Sequence, residues 1–296
     1  MLPDSPLWLD TSSQSPAFGP PPRGRTTWLV GCLLGLLFWA PGCGSRSPSP
    51  SPDASTSLAV QPARVAAASD LRVVFPALRE EFRRLHPTID LEPTFGSSGQ
   101  FFTQISQGAP FDLFLSADIE LVRKLSRQDA TRPSSIPFDY AAGQLALWVP
   151  HQSSCDLSEA LSEILRKIPP GKISLANPEH APYGRAAREV LKSLELDSSL
   201  APHLVLADNV AQALQFADSG GAAAAFVAVS LVRKGPASSH GRWRIVPAQH
   251  HRPIQQGGLV LPGGPGEPAA SLFADWLQTP PARQILSDHG FLTSKE

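Results

Sequence analysis

The chain is 296 residues long and carries a formal net charge of −1 at neutral pH. That length supports one large domain or two lobes with cores of their own, and the near-neutral balance argues against nucleic acid or an acidic surface as partner. Cys32 and Cys43 fall in a leader described next, so only Cys155 remains further along. A lone cysteine forms no internal disulfide, and stability must come from core burial even in an oxidising compartment.

Residues 1–25 are polar and proline-rich and end in a basic flank, Arg23 and Arg25. TTWLVGCLLGLLFWA then supplies an apolar run of about 15 residues, short for a membrane span and suited to the core of an export signal. Small residues lead to Cys43, a candidate lipoprotein processing and lipidation site. Cleavage as a soluble exported protein and retention as an uncleaved anchor stay open beside it. Residues 1–43 are therefore assigned to the export signal. Residues 44–60, rich in Ser and Pro, form a flexible linker.

From about residue 58 strand-like and helix-like stretches alternate, which predicts an α/β fold with mainly parallel sheets. ARVAAAS reads as a buried strand. Leu71, Val74, Leu78, Phe82 and Leu85 follow at helical spacing, with Pro76 either kinking that helix or marking where its regular part begins. IDLEPTF alternates as a strand. Ser98 and Gly99 open a helix whose inner face carries Phe102 and Ile105 and which Gly108 stops, and FDLFLS is another strand with Asp118 as the next cap. A second series starts at QLALWVP. KISLAN and LVLAD are strands, the PEHAPYG loop leads into a helix at RAAREVLKSL, and Asn209 caps VAQALQFADSG. GAAAAFVAVS, RWRIVP and GGLVLP are further strands, and two helices close the chain. This order predicts two lobes joined by two crossovers near 143–149 and 257–261: residues 61–142 plus 251–296, and residues 143–250. A ligand cleft lies between such lobes.

Four positions stand where an apolar run gives way to a helix: Ser69, Ser98, Tyr183 and Val210. A helix start exposes N–H groups without internal partners, and the helix dipole adds partial positive charge there. Four such starts on one cleft would hold a small oxyanion without Lys or Arg. Taken singly, a serine before a helix is more often a simple cap.

AAASDL (66–71), FGSSGQ (95–100), GAPFDLFLSAD (108–118), NPEHAPYG (177–184), DNVAQAL (208–214), AFVAVS (225–230) and SDHGF (287–291) follow one another in a fixed order. On these motifs the chain, over residues 63–294, resembles the substrate-binding proteins of molybdate ABC transporters. The resemblance implies a two-lobed type II periplasmic binding protein that is not an enzyme. It implies a molybdate ligand, with tungstate beside it, a membrane permease of an ABC importer as partner, and a periplasmic or cell-envelope location. A monomer without cofactor is expected. Carried over position by position, the oxyanion meets hydroxyls at Ser69 and Ser98, with Ser97 adjacent, and backbone N–H groups at Tyr183 and Val210, with Asn209 orienting the last. Molybdenum is reached only through its oxygens. The family's tyrosine in the strand matching AFVAVS is replaced by Ala228, and the Tyr183 hydroxyl is the candidate substitute.

Other readings stay open. The ligand could be another oxyanion, such as sulfate or thiosulfate. An exported enzyme on the same scaffold, or a sensory lipoprotein, is the alternative from another class. Against an enzyme, no GxSxG, GxxxxGK[ST] or GxGxxG is present, and Cys155 has no evident activating partner. His250 and His251, read as strand neighbours, would point to opposite faces and chelate poorly; His180 and His203 have no partners at metal spacing. Asp118 is read as a cap and Arg185 as an ion-paired helix residue.

Overall fold

A computed structural model describes residues 61–128, 136–168 and 171–293. The export signal, the linker, Cys32 and Cys43 lie outside the described residues. The first half runs β1 (Ala63–Ala68), a 3₁₀ turn (Ser69–Leu71), α1 (Phe75–Leu85), β2 (Leu91–Gly96), α2 (Ser98–Ser106), β3 (Leu113–Ser116), α3 (Ile119–Gln128) and β4 (Phe138–Gly143). Then come β5 (Leu145–Pro150), α4 (Leu161–Lys167), β6 (Ile173–Ala176), α5 (Pro182–Ser193), α6 (Asp197–Leu200), β7 (Leu204–Ala207), α7 (Val210–Asp218), β8 (Ala224–Ala228), α8 (Val229–Val232) and β9 (Gly241–Ile245). The chain ends with β10 (Ile254–Val260), α9 (Glu267–Leu277) and α10 (Pro280–Asp288).

The strands form two five-stranded sheets, ordered β2-β1-β3-β10-β4 and β7-β6-β8-β5-β9. The chain crosses from the first sheet to the second at Gln144 and returns between β9 and β10. Each sheet defines a lobe. The α/β, two-lobed class is as the motifs imply, but the sheets are mixed rather than mainly parallel. β1 pairs in parallel with β2 and β3, and β6 with β7 and β8. The strands that carry the crossovers, β10 and β5, run antiparallel to both their neighbours. A strand entered from the opposite lobe is free of the helical crossover that consecutive parallel strands require.

Burial explains the elements. All six residues of LALWVP except Pro150 are buried, so β5 is a central strand covered on both faces. Phe75, Phe82, Phe273 and Trp276 form an aromatic cluster between α1 and α9, with the Phe82 and Phe273 ring centroids 5.1 Å apart, edge to face. Pro76 sits in the first turn of α1, where its missing N–H costs nothing; the preceding 3₁₀ turn absorbs the residues expected to extend that helix. Leu71, Val74, Leu78 and Phe82 are buried as their spacing predicts, whereas Leu85, in the last turn, is 60% exposed. On α2 the buried ring is Phe101; Phe102 and Ile105 are only partly covered. Asp112, fully buried, accepts from the Arg64 amide at 2.8 Å and Nε at 3.0 Å, tying β1 to the entry of β3.

Candidate functional site

In both lobes the parallel strands point their carboxyl ends at the same gap. Ser69 follows β1, Ser97 and Ser98 follow β2, the Asn177–Ala181 loop that follows β6 leads into α5, and Asn209 follows β7. Ligands in open α/β sheets collect at such carboxyl ends. Ser69, Ser97, Ser98, Tyr183, Asn209 and Val210, far apart in sequence, line one small cavity together with Asp70 and Ala117. It is a small cavity, well below the roughly 300–1,000 Å³ typical of pockets for organic ligands. No Lys, Arg or His lines it. A cavity of about 600 Å³ elsewhere, bordered by Arg64, Phe111 and Leu261, has no comparable ring of helix starts.

The donors differ in how free they are. Ser98 Oγ accepts from the Ala117 amide at 2.9 Å, which fills an acceptor position and leaves its own proton to be given away. Ser69 Oγ makes no hydrogen bond to a described residue, although Ser69 is only 3% exposed. Pro182 opens α5 and has no N–H, so Tyr183 supplies the first amide of that helix, and Val210 supplies the first of α7. Neither amide has a carbonyl partner among the described residues. Two hydroxyls and two helix-start amides thus converge, a donor set for an anion's oxygens.

Two expectations change, those for Ser97 and the Tyr183 hydroxyl, and that for Asn209 holds. The Ser97 hydroxyl donates to the His180 carbonyl at 2.6 Å, so its proton is spent on a contact between the lobes rather than on a ligand. Asn209 Oδ1 accepts from the amides of Ala211 and Gln212, both at 3.1 Å; its side chain is the cap of α7 and acts on the site by fixing where the Val210 amide points. The Tyr183 hydroxyl does not replace the missing strand tyrosine. It donates to Asp70 Oδ2 at 3.0 Å, and only the Tyr183 amide remains as a donor. Ala228 itself is fully buried, at the end of β8 beside Leu145.

The lobes are held together around the cavity. The His180 carbonyl also accepts from the Gly99 amide at 2.9 Å. A Cβ at Gly99 would stand 2.5 Å from that oxygen and 2.8 Å from His180 Cα, so only glycine permits the approach. On the rim Arg185 pairs with Asp118, whose other oxygen caps α3 by accepting from the Glu120 amide at 2.9 Å; both residues play the parts expected of them. Ser230 Oγ donates to the Asp70 carbonyl at 2.7 Å.

Asp70 is the residue that motif reading passed over. It is completely buried, and its Oδ2 accepts from Tyr183 and from Gln256 Nε2. Gln256 Oε1 in turn accepts from the Tyr140 hydroxyl at 2.7 Å. Burial pushes the Asp70 carboxyl up to about 6, against hydrogen bonds from Gln256, Tyr183 and nearby amides that favour its charged form. Burial, and then the Asp70 charge, hold both tyrosines well above their usual range. Gly143, at the crossover, leaves room for the Tyr183 hydroxyl, which a Cβ there would strike.

His250 closes a 3₁₀ turn and bonds Ser193 Oγ through Nδ1 at 2.9 Å, and His251 Nδ1 faces the Arg252 carbonyl at 2.8 Å; they are not strand neighbours, because that segment turns before β10 begins. Among the described residues no group of three or more His, Cys, Asp or Glu could hold a metal ion. Cys155 is partly buried against the second lobe's core.

Two lobes, two crossovers and an inter-lobe cavity ringed by unpaired donors define a solute-binding protein. The chain belongs to the bacterial extracellular solute-binding protein family, whose model matches residues 63–292. It is 39% identical over 201 residues to the molybdate-binding protein ModA of Rhodobacter capsulatus, covering 67% of this chain and 76% of the relative. Its identity to the ModA of Azotobacter vinelandii is 37% over 198 residues, 67% and 77% of the two chains. The solved periplasmic molybdate-binding protein of Azotobacter vinelandii superposes with a TM-score of 0.72 at 29% identity, over 79% of this chain and all of that one.

Proposed function

We propose that this chain captures molybdate outside the cytoplasm and delivers it to the permease of an ABC importer, with tungstate taken by the same site. The observation that carries the reading is the convergence of the Ser69 and Ser98 hydroxyls with the Tyr183 and Val210 amides on one cavity that no cationic side chain lines. Hydrogen bonds to an ion are charge-assisted, so neutral donors suffice, and donors fixed at helix starts need little reorganisation on binding. Relatives named as molybdate-binding proteins favour this reading over sulfate, thiosulfate or catalysis. The chain is a binding protein and not an enzyme. The closed pair of lobes forms the surface that the permease recognises, Cys43 carries the lipid that holds the protein at the membrane, and the protein works as a monomer without a cofactor.

Calorimetric titration with molybdate, tungstate, sulfate and phosphate tests this. One-to-one binding of the first two, with the others silent, is expected. Binding of sulfate with molybdate silent would transfer the site to a sister specificity, and silence for all four would reduce the helix-start serines to caps.

A further inference from the structure

A carboxylate is an unexpected neighbour for an anion site. Asp70 lines the cavity beside Ser69, and no part of it reaches solvent. Its Oδ2 is occupied by Tyr183 and Gln256, but Oδ1 is sealed in with no hydrogen-bond partner. A buried acceptor left unpaired costs on the order of 1–3 kcal/mol, more when charged. No cation offsets it. Tyr183 from α5 and Tyr140 from β4 face it, both neutral, and Gln256 from β10 is uncharged. The charged residues on the elements around the turn are turned elsewhere: Glu92 of β2 and Asp218 of α7 are exposed, Arg185 of α5 is bound to Asp118, and Arg72 lies over the Phe95 ring.

Resting on the reading that this cavity holds an oxyanion, we infer that capture is proton-linked: the closing site takes up one proton, held on the Asp70 carboxylate beside the bound anion. Protonation neutralises a buried carboxylate one of whose oxygens has no partner and removes the repulsion between carboxylate and dianion. The proton comes from solvent, and no covalent bond of the ligand changes. The sign follows from linkage. In an open, hydrated cleft Asp70 would titrate near the ordinary value for aspartate, about 3.9. Burial in the closed site raises the pKa to about 6, and a dianion beside it raises it further. Binding is therefore favoured at low pH, and that advantage is lost as pH rises through the bound-state value. Tyr183 and Gln256 position the Asp70 carboxylate.

The test is calorimetric titration of molybdate into the full protein at pH 6.0 and pH 8.0, each in two buffers of different ionisation enthalpy, repeated with Asp70→Asn. The wild-type Kd should be about twofold to tenfold tighter at pH 6.0 than at pH 8.0, the lower figure if the bound-state value stays near 6 and the upper if the anion lifts it one unit more. The buffer pair should report net proton uptake by the wild-type protein at pH 6.0. Asp70→Asn keeps the shape and supplies a permanent donor, so it should bind at both pH values with no uptake and a flatter profile. Wild-type binding without proton uptake, or an unchanged profile in Asp70→Asn, would overturn the inference while leaving molybdate capture intact. The uptake measurement needs only the wild-type protein, so it decides even where the variant folds poorly. No binding of molybdate by wild type at either pH would instead overturn the reading on which the inference rests.

Discussion

Replacing Ser69 and Ser98 together by alanine is expected to weaken molybdate binding by about 10²–10⁴-fold, because each hydroxyl gives a hydrogen bond to an ion worth roughly 1.5–3 kcal/mol. The ligand-free fold should suffer less. Ser69 Oγ supports no described residue, and Ser98 Oγ supports only the Ala117 amide. Calorimetry on the double variant, beside its ligand-free melting curve, separates the two effects. A variant that binds molybdate as wild type does would show that these serines only cap the turns they open. The single changes should divide the loss unevenly. Ser69 is otherwise uncommitted, whereas removing Ser98 also strands the Ala117 amide, so that change carries a cost to the fold as well.

The second large effect comes from a residue with no side chain. Gly99→Ala should lower affinity by on the order of 10²-fold, mainly through faster release, if the two bonds to the His180 carbonyl are each worth about 1–1.5 kcal/mol in the closed state. The added methyl meets backbone atoms of His180, which cannot swing aside, so the lobes must stay further apart. The same change should leave the ligand-free protein as stable as before or slightly more so, since Gly99 lies within α2, where alanine is favoured by up to about 1 kcal/mol. Affinity and stability thus move in opposite directions, which ordinary misfolding does not produce. Stopped-flow release rates and the radius of gyration with ligand present check this. Wild-type release with a wild-type closed radius would mean that the His180 contact is incidental to closure.

These residues show what the linear sequence carries and what it hides. A helix start is local: a serine or asparagine, then an apolar period, suffices to place exposed amides at Ser98 and Val210, and the motif order carries the two-lobed class with them. The fate of each proton is not local. Ser97 and Ser98 are neighbours of the same type, yet one donates to a carbonyl 83 residues away and the other faces the cavity. In the linear sequence Tyr183 is an aromatic with a spare hydroxyl, but the partner that takes that proton lies 113 residues earlier. Asp70 drew no attention because SD at the end of a strand reads as a cap, and its importance rests on Gln256, 186 residues on. FDYAAG has no clear alternation, and only pairing with β10 across a register shift makes it the strand β4. AFVAVS reads as one strand, but the strand stops at Ala228 and the last two residues already belong to α8.

The central claim is that four helix-start donors hold the anion. The measurement that addresses it most directly is a crystal structure of the protein with molybdate, the metal located by its anomalous scattering. A single strong peak is expected in the cavity between the lobes, with oxygens about 2.7–3.1 Å from Ser69 Oγ, Ser98 Oγ and the amides of Tyr183 and Val210. A peak outside this cavity, or an anion there held by other groups while these four donors stay unused, would contradict it.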